Sequence, residues 1–198
     1  METRQLLTEL ADITRNNIEI ANSFKTNNPK TLNWRQSEKS WSILECLEHL
    51  NRYGDFYLPE LNRCIAKARY KKPRLFYKPG LLGGYFTRMM KAESRTKIKS
   101  LKNYNPIGSQ LGHSVLNVFI TQQETLLLIL DQAQHVDLIK NKTAISLSRL
   151  IRLQLGDTLS FLIYHNERHI KQASKVKTLH LAGFENLSGV AAKNNSVK

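Results

Sequence analysis

Apolar residues recur along this chain every three to four positions, in four long blocks separated by polar, glycine-marked or proline-marked breaks. Leu6, Leu10, Ile13, Ile20 and Phe24 keep a helical spacing, which predicts a first helix from near the N-terminus to about Phe24. Asn27-Asn28-Pro29 stops it. A second helix starts at Ser42-Ile43-Leu44-Glu45, where serine and glutamate three residues apart form a capping box. Its stripe is Ile43, Leu47, Leu50, Tyr57 and Leu61; it fades near Tyr70, and Pro59 is a point for a kink. A third block carries Val115, Leu116, Phe119, Ile120, Gln123, Leu126, Leu127 and Leu130, ending near Gln134 to Val136. After a short apolar stretch, Asp157 is placed to cap a fourth helix through Leu159, Leu162, Ile163, His165, His169, Ile170 and Ala173.

Between the second and third blocks lies a long connection, about 71–105. Pro79-Gly80 and Gly83-Gly84 punctuate it as loop, with a short helix predicted around Tyr85 to Lys91. Strand-like alternation of β-branched residues is hard to find, so the fold class is all-α, and four amphipathic helices with one long connection point to a four-helix bundle. One domain over about 1–185 is expected, followed by a mobile tail, 186–198, with little to bury.

Composition sharpens the reading in two places. Of the net charge of +14, the segment from Lys71 to Asn105 supplies +9, with ten Lys or Arg and one Glu. Such a run usually forms a solvated, mobile loop. The rival reading is a binding module that meets nucleic acid or an acidic partner, with Tyr70, Phe76, Tyr77, Tyr85 and Phe86 stacking on bases; packing of these rings on the bundle is the simpler role. Cys46 and Cys64 stand 18 positions apart in one helix, about 27 Å at 1.5 Å per residue, too far to pair. Reduced thiols, no targeting signal and no apolar run of about 20 residues lead us to expect a soluble, cytoplasmic protein without membrane insertion.

The candidate chemistry lies in the histidines. In Tyr164-His165-Asn166-Glu167-Arg168-His169 the two imidazoles are four residues apart, about 40° on a helix, and leave one face that also holds Phe161, Leu162, Gln172, Ala173 and Val176. Glu167 and Lys171 point the opposite way. His49 lies at the edge of the second helix's stripe, but spacing alone does not bring it to the pair. Three histidine ligands leave a position open for water or substrate, whereas structural zinc sites close with four ligands.

Around them, Glu45 either caps its helix or accepts from His49, capping being the simpler role. Asn166 and Gln172 either orient a ligand or close core hydrogen bonds. Cys46 reads as an inert core thiol and His113, His135 and His180 as surface residues. No hydrolase nucleophile motif, P-loop, dinucleotide fingerprint or nucleic-acid-binding motif is found.

Trp41-Ser42 with Glu45 and His49-Leu50, then Leu155-Gly156-Asp157 and Tyr164-His165 through His169-Ile170-Lys171-Gln172, resemble the DinB/YfiT-like superfamily over about residues 5–180. The resemblance extends to the Gly80-Leu81-Leu82-Gly83-Gly84 insertion and to Gly183-Phe184. It implies an up-down-down-up bundle in which His49, His165 and His169 bind a divalent metal, often nickel or zinc, and it implies frequent dimerisation. Relatives include bacillithiol- or mycothiol-dependent transferases and a maleylpyruvate isomerase. The function it suggests is a metal-dependent hydrolase or thiol S-transferase acting on a small molecule, with a low-molecular-weight thiol as cofactor in the second case and with nucleic acid an improbable partner.

Overall fold

A computed structural model describes residues 1–91, 100–146 and 148–195. Four long helices form the body: α1 (Thr3–Phe24), α3 (Ile43–Ala66), α5 (Ser114–Ala133) and α6 (Leu155–Asn195). Short elements fill the connections: α2 (Pro29–Asn33), α4 (Leu81–Met90), a 3-10 turn at Lys102–Tyr104, and a hairpin of β1 (Lys142–Ile145) and β2 (Ser148–Gln154). Side chains from residue 184 onward lie outside the described residues; the backbone of 186–195, where the sequence suggests a mobile tail, continues α6, and 196–198 lie outside the described residues.

The direction of each helix can be read from the two apolar clusters at opposite ends of the bundle. One holds Leu10, Tyr57, Leu126 and Leu162, the other Phe24, Leu47, Leu116 and Ile170. Helices α1 and α6 therefore run from the first cluster to the second, and α3 and α5 run the other way, which is the up-down-down-up order. Each of α1 and α3 packs on both α5 and α6, so α5 and α6 stand on a diagonal. Two helices in sequence that point the same way need a long return, and 67–113 provides it.

Local chemistry explains the ends. Ser42 Oγ accepts from Glu45 N and Glu45 Oε2 accepts from Ser42 N, so the capping box forms as expected. Pro59 is carried inside α3, which ends at Ala66 rather than near Tyr70. On α1 the buried stripe is Leu10, Thr14, Asn17, Ala21 and Phe24; Ile13 and Ile20 only flank it.

Four expectations are corrected. The hairpin was not anticipated, because among the described residues only Thr143, Ile145 and Leu153 mark its buried face and a bulge between Ala144 and Ile145 breaks the register. Asp157 does not cap α6, which opens at Leu155; its carboxylate accepts from Tyr77 Oη at 2.5 Å and from Gly80 N at 3.1 Å. Gly83 and Gly84 lie inside α4, where a Cβ on Gly83 would run into Asp157, so glycine serves close packing of α4 on α6. Finally, the first part of the basic insertion is anchored. Tyr77 is buried, Arg74 pairs with Asp137 at 2.8 Å, and Thr3 N donates to the Leu75 carbonyl. Its Lys71, Lys72 and Lys78 remain exposed, as a solvated charge run requires.

Candidate metal centre

His49 on α3 and His165 and His169 on α6 come together where these helices pack, and their ligand nitrogens all lie within 4.8 Å of one another. The helical spacing accounts for the α6 pair. The antiparallel packing of α3 on α6 recruits His49, the step that spacing could not make. His49 Nε2 and His165 Nε2 are 3.1 Å apart. Two nitrogens about 2.1 Å from a shared ion at a tetrahedral angle would stand about 3.4 Å apart, so the pair is already near ligand spacing.

The outer nitrogens settle which face two of the three rings present. His49 Nδ1 lies 2.6 Å from the Tyr104 carbonyl, which can only accept, so Nδ1 carries the proton and Nε2 points its lone pair inward. His169 Nδ1 lies 2.9 Å from Gln172 Oε1, with the same consequence. His165 Nδ1 is buried without a hydrogen-bond partner among the described residues. Burial disfavours the charged ring in all three. It pushes His49 down to about 4, against the Tyr104 carbonyl, and His169 down to about 3, and it lowers His165 well below the ordinary value, with its histidine neighbours adding to the effect. Three neutral imidazoles with inward nitrogens make a donor set that fits a divalent ion of intermediate softness.

The segment that supplies the Tyr104 carbonyl is pinned on both sides. Trp41 Nε1 donates to Asn105 Oδ1 at 3.1 Å, while Glu45 Oε1 accepts from Ser109 N at 3.2 Å. Arg35 joins Glu45 to the Ser109 carbonyl through bonds of 2.7 and 2.9 Å. Burial alone would raise the Glu45 carboxyl, but Arg35 and the backbone donors hold it below the usual range. Glu45 thus caps α3 and braces the site's outer wall without touching His49.

A cleft of about 560 Å³ opens over the histidines, walled by Trp41, Tyr53, Met90 and Phe161, with Lys39 and Arg168 also lining it. Trp41 packs on His49 and His169, and Phe161 stacks on His165 with ring planes 15° apart. Burial and the neighbouring tyrosines push the Tyr53 hydroxyl up to about 12. Neither Tyr53 nor the Tyr104 carbonyl was singled out from sequence; a backbone acceptor leaves no residue signature.

The remaining candidates separate. Gln172 is at the site, whereas Asn166 faces the bundle interior and donates to Gln123 Oε1. Cys46 is wholly buried in apolar core, which raises its thiol pKa, and it lies outside the cluster. His113 and His135 are exposed as expected, but His180 is buried: its ring packs on Trp34, 4.8 Å between centroids, and Nε2 meets Thr31 Oγ1. Of the insertion aromatics, Tyr77 is buried and Phe86 half-buried, while Tyr70, Phe76 and Tyr85 are exposed. Among the described residues, no helix is long and apolar enough to cross a membrane.

Comparison with known proteins agrees with this architecture. A family model described as the DinB superfamily matches residues 3–173. No curated protein sequence matches the chain. Among solved structures it is similar to YfiT from Bacillus subtilis, described as "a probable metal-dependent hydrolase with an unusual four-helix bundle topology". The two share 11% identity with a TM-score of 0.54, over 91% of this chain and 90% of the other.

Proposed function

The chain belongs to the DinB superfamily, and from that premise we propose that it is a divalent-metal-dependent enzyme that acts on a small molecule with water or a low-molecular-weight thiol as nucleophile. The observation that carries this reading is the convergence of three neutral imidazoles, two with Nδ1 committed to acceptors. His49, His165 and His169 would hold the ion, and an all-imidazole set suits zinc or nickel. When bound, such an ion acts as a Lewis acid that lowers the pKa of a water or thiol at a position the protein leaves open.

The chain's own groups do the rest. Tyr104 and Gln172 keep the Nδ1 protons of His49 and His169 in place, which leaves each Nε2 bare towards the ion, while burial keeps both rings neutral. Trp41, Tyr53 and Phe161 give the cleft apolar walls that exclude water around the reacting group. The Tyr53 hydroxyl keeps its proton up to about pH 12 and is available as a donor to a substrate oxygen. Lys39 and Arg168 favour a substrate with an anionic group. The description of YfiT as a probable hydrolase supports water as the nucleophile.

The test is metal content. Protein made without a histidine tag, supplied with zinc or nickel and then desalted, should retain about one ion per chain. His49→Ala, His165→Ala and His169→Ala should each abolish retention while circular dichroism stays helical. A wild-type chain that retains no divalent ion would end this reading.

A further inference from the structure

Halfway along the bundle the apolar core is interrupted. Leu10, Tyr57, Leu126 and Leu162 belong to the cluster on one side, and Ala21, Leu50, Phe119 and Ile170 to the cluster on the other. Between them each long helix contributes one buried carboxamide: Asn17 from α1, Asn51 from α3, Gln123 from α5 and Asn166 from α6. Asn166 Nδ2 donates to Gln123 Oε1 at 3.1 Å across the α5–α6 diagonal. Asn51 Nδ2 donates to the Val115 carbonyl at 3.1 Å.

What remains is a mixed set of donors and acceptors. Asn17 Oδ1, Asn17 Nδ2, Asn51 Oδ1 and Asn166 Oδ1 are buried without a hydrogen-bond partner among the described residues, and so is Nδ1 of His165, the residue next to Asn166. A dry, unpaired group weakens folding by roughly tenfold or more. Five of them would cost a factor of about 10⁵, comparable with the whole folding constant of an ordinary domain, about 10³ to 10⁸. A buried water needs two to four polar neighbours of both kinds, and this layer offers them. Three amide oxygens alone would also suit a monovalent cation, but the Asn17 amide nitrogen among them favours water.

We propose that this layer is an internal water-binding site, and that its water pairs with His165 Nδ1, so that Asn17, Asn51 and Asn166 are positioning residues for that ring. The first half stands on the bundle interior alone; the second rests on the metal-centre reading. The water supplies the outer partner that Tyr104 gives His49 and Gln172 gives His169. It can accept from a protonated Nδ1 or donate to a bare one.

Oxygen-17 relaxation dispersion of the metal-free protein counts long-lived internal water. At least one such water is expected in the wild type, retained in His49→Ala and lost in Asn17→Leu. Asn17→Leu should also lower the folding constant tenfold or more, because it strands Asn51 Oδ1 and Asn166 Oδ1. No long-lived water in the wild type, or an Asn17→Leu variant more stable than wild type, overturns the site. So does stability that depends specifically on potassium or sodium, which would put a cation there. If Asn17→Leu fails to fold, Asn17→Ser, which keeps a hydroxyl and makes room, should retain the water count; a lost count overturns the site.

Zinc affinity tests the second half separately. It should fall about tenfold in Asn17→Leu and stay near wild type in Asn17→Ser. Loss of the water with zinc affinity unchanged overturns the link to His165. A wild type that binds no zinc yet keeps its internal water defeats the metal-centre reading and, with it, only this link.

Discussion

Two polar clusters sit at the same height in this bundle and are handled in opposite ways. The histidines lie between α3 and α6 beside the cleft, and two of the three have their outer nitrogens held by acceptors, the Tyr104 carbonyl and Gln172. The carboxamides are buried, one from each long helix, and four of their atoms have no partner among the described residues. One cluster is braced from outside by a segment that the long connection folds over it. The other is supplied by the helices alone, whose facing positions are fixed by packing and cannot be adjusted to pair every amide. The difference teaches where precision is held: ring orientation at the histidines, hydration at the carboxamides.

Acid should break the comparison most sharply, because only one cluster titrates. All three histidines have folded pKa values below 6.5, with His49 near 4 and His169 near 3. As pH falls below 6.5, the unfolded chain takes up protons that the folded chain refuses. Stability is therefore present above the unfolded value and is lost as pH falls towards the folded ones. Each histidine contributes a slope of about 1.4 kcal/mol per pH unit, and three together about 4. Urea denaturation of metal-free protein between pH 6.5 and 5 should show this slope, reduced by about a third in His49→Gln. Glu45, held below the usual carboxyl range, loses its contribution only at more acid pH. A flat profile across that interval would mean the rings are not buried as neutral groups.

The brace itself can be loosened next. Glu45→Gln removes the charge that Arg35 and the Ser109 amide contact and should cost about 3 kcal/mol, near the low end for a broken buried pair because Arg35 is partly exposed. Through the 104–109 segment it should also weaken zinc binding. The internal water count should not change, since among the described residues Asn51 and Asn166 bond to Val115 and Gln123 and not to that segment. If zinc affinity survives while stability drops, Glu45 is only a cap, and the outer wall holds without it.

Legibility in the sequence follows the same division. The four amphipathic helices, the Ser42–Glu45 box and the His165–His169 pair carry local periodic signals, and these formed as expected. His49 needed the α3–α6 packing. The carboxamide layer was hidden for a physical reason: a search for apolar periodicity passes over polar residues, so α1 was assigned Ile13 and Ile20 when the buried stripe runs through Thr14 and Asn17. His180 reads as a surface residue in the sequence because its cover is Trp34, just beyond the short helix α2, whose Pro29 reads as a stop. Tyr77 and Asp157 are 80 residues apart, and neither has a local pattern that pairs them.

The finest test separates the two kinds of support within the histidine cluster. Gln172→Ala removes the acceptor at His169 Nδ1 but leaves that nitrogen near the cleft mouth, since Gln172 is exposed and water can take its place. Zinc affinity should fall about tenfold, about 1.4 kcal/mol and the low end for such partners, with folding stability within about 0.5 kcal/mol of wild type. Competition against a chelator of known affinity measures the first, and urea denaturation of the metal-free protein the second. The same truncation at the buried end, where solvent cannot substitute, should cost both affinity and stability. Equal losses at the two ends would show that solvent access is not what distinguishes them, and that the ring partners act only through geometry.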